Sequence, residues 1–214
     1  MFKTFLDDFF DILFNYRKGL TRVAETKNIG HGLVIFLVFT ILSSLSTMSF
    51  NAVGNAGVFP PELYPFFPAE VQAELLRFIP LTALMMQLTF GPLYFLLLVA
   101  ILNFVAELFG GKGSVYSLGA VLGYSYIPYV FVALGGLIDT FSAFNIAGIL
   151  GIMAFLWSLF LKIAGLSVVH KFSGAKSVLV FFTPLLAVIA AVIIFFLLGV
   201  IFLFPIIMQM IEHI

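Results

Sequence analysis

Five long apolar segments divide this 214-residue chain, and they constrain its fold more than any other feature. A helix needs about 20 mostly apolar residues to cross roughly 30 Å of hydrocarbon, and each segment provides them. The apolar residues run continuously instead of alternating with a period of two, which argues against a membrane β-barrel. The sequence therefore predicts an all-α, polytopic integral membrane protein. Its bundle of five transmembrane helices has spans at about 30–51, 81–109, 117–138, 145–169 and 178–210.

The composition agrees with a chain whose solvent is mainly lipid. Hydrophobic residues make up 63% of the chain and charged residues 9%, whereas about a quarter of an average soluble domain is charged. The chain contains no cysteine, which excludes disulfides, thiolate catalysis and cysteine-ligated metals. Its formal net charge is zero, so charge gives no argument for nucleic acid. We expect the lipid bilayer as its surroundings, with no cofactor, no metal and no nucleic acid.

Basic residues predict the orientation. Of the ten lysines and arginines, five precede the first span and three lie in the loops after spans two and four. An N-terminus inside the cell puts these eight on the cytoplasmic side and only Arg77 outside, since Lys162 lies within span four. We predict a cytoplasmic N-terminal segment (1–29), a five-span domain (30–214) and an exterior C-terminus. We expect the cytoplasmic membrane of a bacterium or archaeon, with an ER or Golgi membrane as the alternative.

The N-terminal segment predicts an amphipathic helix. Apolar and aromatic residues recur at helical spacing on one face, and charged or polar residues take the other. The first set is Phe2, Phe5, Leu6, Phe9, Ile12, Leu13 and Tyr16, and the second is Lys3, Asp7, Asp8, Asp11 and Asn15. Fifteen residues with this much charge are too short to span, so the helix either lies on the cytoplasmic membrane surface or packs on the inner ends of the bundle.

Ionisable groups inside spans are costly and suggest function. Glu107 lies near the inner end of span two, and Lys162 lies about two turns from the inner end of span four. Asn103 is four residues before Glu107 and so shares its helix face. The functional interpretation is a proton or ion relay. The structural alternatives, which we favour, are an ion pair between Glu107 and Lys162 or two residues that reach the interface independently.

Two prolines interrupt spans. Gly91-Pro92 predicts a kink in span two, and Pro128 predicts a break in span three, because proline removes a backbone hydrogen bond and clashes with the preceding turn. Polar side chains surround the second proline. They are Tyr124, Ser125, Tyr126 and Tyr129. These groups either satisfy the freed carbonyls, which we favour, or line a small polar cavity.

Other segments give weaker signals. The outer loop 52–80 contains five prolines and is expected to form a stiff cap, with a short surface helix at about 69–78. Gly119 and Gly123 are four residues apart, as are Ala147 and Gly151, and such small-residue faces allow helices to approach closely. The sequence leaves open whether they meet within one chain or in a homo-oligomer.

Three motifs, in order, resemble a known family. They are Phe90-Gly91-Pro92-Leu93 in span two, Gly123-Tyr124-Ser125-Tyr126-Ile127-Pro128 in span three, and Phe155-Leu156-Trp157-Ser158-Leu159 with Leu166-Ser167-Val168-Val169-His170 in span four. Over about residues 10–200 the chain resembles the Yip family, Rab/Ypt-interacting proteins with five spans. The acidic residue of the eukaryotic DLYGP element is absent, and the N-terminal segment is short. The chain thus resembles a compact prokaryotic member, for which the resemblance implies a fold and little biochemistry.

The sequence favours a non-enzymatic adaptor or organiser that binds other membrane proteins or lipids. A carrier or channel for a small molecule, ion or lipid, using a groove between spans two, three and four, is the alternative. A lipid enzyme ranks last, because no Ser/His/Asp set, paired carboxylates or HExxH motif occurs. The candidate functional residues are Gly91, Pro92, Asn103, Glu107, Tyr124, Ser125, Tyr126, Pro128 and Lys162.

Overall fold

The computed structural model describes residues 2–53, 69–139, 141 and 145–212, and all regular structure within these ranges is helical. The predicted all-α class is confirmed. The helices are α1 (Phe2–Phe14), α2 (Tyr16–Thr26), α3 (Ile29–Val53), α4 (Ala69–Leu108), α5 (Val115–Tyr124), a 3₁₀ turn (Ile127–Tyr129), α6 (Val130–Asp139), α7 (Ile146–His170) and α8 (Gly174–Glu212).

Within the described ranges, four helical segments are long and apolar enough to cross a membrane. They are Leu84–Leu108 in α4, Val115–Asp139 through α5 and α6, Ile146–His170 in α7 and Gly174–Ile201 in α8. In α3 the apolar stretch Ile29–Leu45 is shorter. The core forms where α3, α4, α5 and α7 meet, whereas the most apolar window of α8 contains no buried residue.

Helix α4 differs from the prediction at Pro80. The expected surface helix at 69–78 and the expected span from residue 81 form one helix that passes through this residue. A long helix tolerates the loss of single hydrogen bonds when its other bonds persist, so the prolines do not end it here. The helix is also continuous through Gly91 and Pro92, and the kink expected there stays a prediction.

Glycines bring α3 and α5 into backbone contact. A Cβ atom added to Gly123 would overlap the backbone of Gly32, and one added to Gly32 would overlap the carbonyl oxygen of Gly119. Only glycine permits helices to cross this closely. The predicted small-residue face of Gly119 and Gly123 is therefore confirmed as an internal contact.

The second predicted small-residue face is only half used. A Cβ on Gly135 of α6 would lie 2.8 Å from the Cα of Ala147, so these residues allow α6 and α7 to approach. Gly151 has no atom within 4 Å of its Cβ position among the described residues. Buried Asp139 strengthens the same junction, because its two carboxylate oxygens accept hydrogen bonds from the backbone N–H groups of Ile146 and Ala147, at 2.7 and 2.9 Å. It thereby caps the start of α7.

The loop that follows α4 contacts the end of α7 through glycine and histidine residues. Gly110 adopts a left-handed conformation (φ 78°) that ends α4, and the N–H of Gly113 donates to Nδ1 of His170 at 3.1 Å. A Cβ on Gly111 would lie 2.6 Å from the same nitrogen. The glycine-rich segment is thus a tight turn that joins the ends of α4 and α7.

The N-terminal segment forms a helical hairpin, where the sequence predicted a single helix. Asn15 leaves the helical region at φ −138° and separates α1 from α2, and a Cβ on Gly19 of α2 would lie 2.7 Å from the backbone nitrogen of Ile12. Ile12, Leu20 and Val23 are completely buried. The second helix was missed, because its polar composition masked a short apolar stripe.

The hairpin packs along the side of the bundle, whereas one interpretation of the sequence placed the N-terminal helix on the ends of the bundle. The Phe9 ring stacks on Phe39, ten residues into α3, and the end of α1 borders Pro128 near the middle of span three. The Tyr16 ring contacts Phe160 of α7 at 4.9 Å. Apolar burial in the cleft beside the broken span accounts for this position. The predicted location on a membrane surface stays a prediction.

Two acidic residues of α1, Asp8 and Asp11, face α2, whereas Asp7 is exposed. Asp8 is completely buried and accepts a hydrogen bond from Nε of Arg22 at 2.6 Å, with Nζ of Lys27 at 3.4 Å. Asp11 pairs with Arg22 at 2.8 Å and with Lys18 at 3.4 Å. These five residues, the ion-pair cluster, neutralise the carboxylates and let the hairpin pack against the bundle.

Candidate functional site

The break in span three positions the aromatic groups of the site. Pro128 has no N–H to donate, and α5 ends at Tyr124 before the 3₁₀ turn. Ser125 donates from Oγ to the carbonyl of Val121 at 2.8 Å, and the N–H of Tyr129 donates to the carbonyl of Tyr126 at 3.0 Å. The predicted break is confirmed. The Val121 carbonyl also accepts the N–H of Ser125 at 3.0 Å, so the serine bond does not compensate for Pro128, whose missing N–H would have reached the carbonyl of Tyr124, and the role of these side chains in satisfying freed carbonyls stays a prediction.

The turn directs two tyrosines into a polar pocket. The rings of Tyr126 and Tyr129 stack with centroids 5.7 Å apart, and Phe36 of α3 meets Tyr126 edge-on at 4.8 Å. The pocket encloses about 520 Å³ between α3, α4 and the turn. Its lining residues are Phe36, Thr40, Ser43, Ser44, Met86, Gln87, Phe90, Gly91, Tyr94, Tyr126 and Tyr129.

Polar groups of the pocket come mainly from α3 and α4. Ser44 donates from Oγ to Oε1 of Gln87 at 2.5 Å, which joins the two helices across the pocket. The Oγ of Thr40 is buried and has no hydrogen-bond partner among the described residues. A buried hydroxyl without a partner is costly, so the pocket offers hydrogen-bonding capacity to a ligand.

Lys162 reaches the same aromatic group from α7. Its Nζ lies 4.1 Å from the centroid of the Tyr126 ring, a cation–π contact. Glu107 instead accepts a hydrogen bond from Nδ2 of Asn103 at 2.7 Å. No ion pair joins Glu107 to Lys162 within the described part of the chain, so the ion pair that the sequence allowed is not formed.

The predicted residues divide among several places. Gly91 and Tyr126 line the polar pocket, while Tyr124 lies at a second cavity beside the start of α3. Pro128 lines a third cavity of about 400 Å³, which is apolar and contains Leu13 and Trp157. Half-buried Pro92 lines none of these three cavities. The kinked polar centre predicted from the sequence is therefore not one site.

Sequence reasoning missed the contribution of α3. The hydroxyl residues Thr40, Ser43 and Ser44 of α3 were not among the candidate residues. They recur at helical spacing on one side of α3, which was a usable signal because hydroxyls in lipid need partners. Tyr94, one turn from Gly91, was also missed.

Charge outside the membrane-spanning segments is concentrated in the ion-pair cluster. Burial lowers the pKa of the Arg22 guanidinium, but its hydrogen bond to Asp8 and the nearby carboxylates outweigh that effect and hold the pKa above its ordinary value. Arg22 thus stays charged and fixes the hairpin. In the described residues, no group of three or more His, Asp or Glu side chains is arranged to hold a metal ion.

Comparison with known proteins assigns the family. The model of the Yip1 domain matches residues 10–197, which is most of the chain. Neither the curated proteins nor the solved structures gave a match. The matched range begins at residue 10, within α1, and ends within α8, so it includes the end of α1, all of α2, the polar pocket and the broken span. The chain therefore belongs to the Yip1 domain family of membrane proteins.

Proposed function

We propose that this Yip1-domain protein is a non-enzymatic adaptor or organiser that binds other membrane proteins or lipids from within the bilayer. The polar pocket is the observation that carries the proposal. It combines a hydroxyl on Thr40 that has no partner among the described residues with the Ser44–Gln87 pair and stacked tyrosines, in a protein that exposes many large apolar side chains.

The exposed rim of the pocket would allow a lipid or a partner helix to enter it sideways from the bilayer. Met86, Phe90 and Tyr94 of α4 border the pocket and are each more than half exposed. Within a bilayer such side chains contact acyl chains or a neighbouring helix. A polar group on a partner helix or lipid gains hydrogen bonds in the pocket that hydrocarbon cannot supply.

The proposal includes a five-span topology. Helix α3 would be the first span, with its N-terminus in the cytoplasm, and the eight basic residues on that side support this orientation. A reporter enzyme fused to the C-terminus should then be active only outside the cytoplasm. Cytoplasmic activity would require an even number of spans. The membrane is proposed to be a bacterial or archaeal cytoplasmic membrane, with the ER or Golgi as the alternative.

A carrier is the second candidate function. The cation–π contact places the buried ammonium of Lys162 beside Tyr126, at the edge of the pocket. Such a cation attracts an anionic substrate. The pocket lies between α3, α4 and the broken span, so a translocation groove would include span one and not only spans two, three and four.

Two isosteric changes test the adaptor proposal. Thr40→Val removes the unpartnered hydroxyl, and Gln87→Leu removes the amide that bridges to α3. Thr89→Val is a matched control on α4, since Thr89 is exposed, bonds only its own helix at Met85 and lies outside the pocket. The protein and its variants would be extracted into polymer nanodiscs, and co-purifying proteins and lipids identified by mass spectrometry.

We expect a reproducible protein partner that is lost with Thr40→Val and Gln87→Leu and retained with Thr89→Val. A selectively enriched lipid, lost in the same pattern, would assign the pocket to lipid binding, and liposome flux would then separate binding from transport. Identical co-purification with all variants would refute a role for the pocket.

A further inference from the structure

A second cavity lies where the hairpin meets the start of α3, and it combines polar and apolar walls. The inner cavity encloses about 540 Å³ and is lined by Phe5, Lys27, Asn28, Gly30, His31, Val34, Ile35 and Tyr124. It shares no residue with the polar pocket. An inference drawn from it is independent of the proposed function.

The N-terminus of α3 supplies hydrogen-bond donors. Asn28 caps the helix, and its Oδ1 accepts from both the backbone N–H and the ring Nδ1 of His31, at 3.2 and 2.8 Å. The first N–H groups of a helix have no acceptor within that helix, and Gly30 in this first turn lines the inner cavity. Free N–H groups at the positive end of a helix dipole favour anions.

Tyr124 provides an independent indication of a ligand. Its side chain is 3% exposed and lines the inner cavity, and the described part of the chain shows no hydrogen bond to its hydroxyl. The hydroxyl is not one of the fully buried polar atoms that lack a partner, which agrees with its reaching the open space of the cavity. The hydroxyl of a largely buried tyrosine normally has a hydrogen-bond partner. The hydroxyl is thus available to donate to a ligand in the cavity.

Lys27 adds a further hydrogen-bond donor. Its Nζ lies 3.4 Å from Asp8, farther than the 2.6 Å of the Arg22 contact, and an ammonium has three donors. The ion-pair cluster joins three cations to two carboxylates, but Lys18 is 64% exposed and water screens its charge. Arg22 and Lys27 then balance Asp8 and Asp11, so the ammonium of Lys27 serves the cavity as a local hydrogen-bond donor and not through a net charge of the cluster. The other carboxylate that acts on Arg22, Asp7, is exposed, where water screens its charge.

The apolar wall indicates the source of the anion. Val34 is 58% exposed and lies six residues after Asn28, about 9 Å along the helix. This distance is comparable to that between the phosphate of a phospholipid headgroup and the first part of its acyl chains. A soluble anion gains nothing from Phe5, Val34 and Ile35, whereas the first part of an acyl chain does.

We propose that the inner cavity binds a phosphate group, with the headgroup of an anionic phospholipid as its source. The phosphate oxygens accept hydrogen bonds from the hydroxyl of Tyr124, the ammonium of Lys27 and the first N–H groups of α3. The acyl chain leaves past Val34 toward the bilayer.

The test uses delipidated full-length protein in detergent and native mass spectrometry. The probes are dioleoyl phosphatidylglycerol, dioleoyl phosphatidylcholine with the same chains and no net charge, and glycerol 3-phosphate as the soluble phosphate. Tyr124→Phe removes only the hydroxyl, and Tyr116→Phe is its control, because Tyr116 is exposed on the same helix and lies outside the cavity. Gly30→Leu fills the cavity, since a Cβ there meets only the side chain of Asn28, at 3.3 Å.

We expect phosphatidylglycerol to bind more tightly than phosphatidylcholine. Tyr124→Phe should weaken this binding about tenfold, the effect of losing one hydrogen bond to a charged group, while Tyr116→Phe leaves it unchanged. Gly30→Leu should abolish it. Because the hydroxyl has no partner in the described residues, Tyr124→Phe should not lower the unfolding temperature, which separates ligand loss from misfolding.

Binding of glycerol 3-phosphate with the same sensitivity to Tyr124→Phe would retain the phosphate site and replace its lipid source. Equal binding of phosphatidylglycerol by the unaltered protein, Tyr124→Phe and Gly30→Leu would overturn the proposal. So would the absence of binding by both phosphate probes, or equal binding of the two lipids.

Discussion

Removing the charge of Asp8 should release the N-terminal hairpin. Asp8 is completely buried between Arg22 and Lys27, so Asp8→Asn leaves two cations facing a neutral amide in a poorly hydrated site. Removing one partner of a buried ion pair costs about 3–5 kcal/mol. Arg22 is 29% exposed and retains its ion pair with Asp11 in this variant. We therefore expect the free energy of unfolding to fall by about 3 kcal/mol, near the lower end of that range.

The chain contains an intrinsic probe for this change. Its single tryptophan, Trp157, lines the apolar cavity together with Leu13 and Phe14 of α1. Release of the hairpin exposes the indole, so acrylamide should quench its fluorescence more strongly. Denaturant unfolding in detergent, followed by the same emission, gives the free energy of unfolding.

Two variants complete the test. Asp7→Asn removes an exposed carboxylate one residue away and should change stability by less than about 0.5 kcal/mol. Lys27→Met in the Asp8→Asn background removes a stranded cation and should recover part of the loss, which a double-mutant cycle measures. If Asp8→Asn and Asp7→Asn had the same small effect and the same quenching, the cluster would not hold the hairpin.

Three further predictions concern the bundle. Gly123→Ala should destabilise the protein by about 1–3 kcal/mol, because the added Cβ overlaps α3. Gly151→Ala should be neutral or slightly stabilising, because no described atom lies within 4 Å of the added Cβ. Thermal unfolding of the two variants distinguishes these effects. The effects of Glu107→Gln and Lys162→Met on the free energy of unfolding should add within about 0.5 kcal/mol, since no ion pair joins the two residues among the described residues. A larger coupling energy in the double mutant would contradict their separation. Asp139→Ala should cost about 1–2 kcal/mol, because it leaves the N–H groups of Ile146 and Ala147 without their acceptor while the N-cap Asn145 still accepts from Gly148. Hydrogen exchange at Ile146 and Ala147 should rise, and unchanged protection at these two residues would contradict the prediction.

The candidate site shows which features sequence periodicity can predict and which it cannot. Hydropathy predicts which residues are helical, and proline chemistry predicts the break at Pro128. Neither says which neighbouring helix faces Tyr126. Its partners Thr40 and Gln87 lie far away in sequence, so only the packing of α3 on α4 reveals that they share a pocket with it.

The hairpin illustrates the same limit for charge. Asp8 and Asp11 on one helix, and Lys18 and Arg22 on the next, are spaced to pair. This complementarity was present in the sequence, but an amphipathic helix alone is equally consistent with a charged face in water. The packing of Gly19 against Ile12 decides in favour of burial.

The helical class, the approximate positions of the apolar helices, the break in span three and the close glycine face of α5 could be predicted from the sequence. These features follow from local physics, since backbone hydrogen bonds must be satisfied within each segment in lipid and since proline and glycine act at their own positions. The position of the hairpin, the separate partners of Glu107 and Lys162 and the division of the predicted centre into distinct cavities could not. These depend on contacts between residues distant in sequence, whose rotation about each helix axis is set by packing.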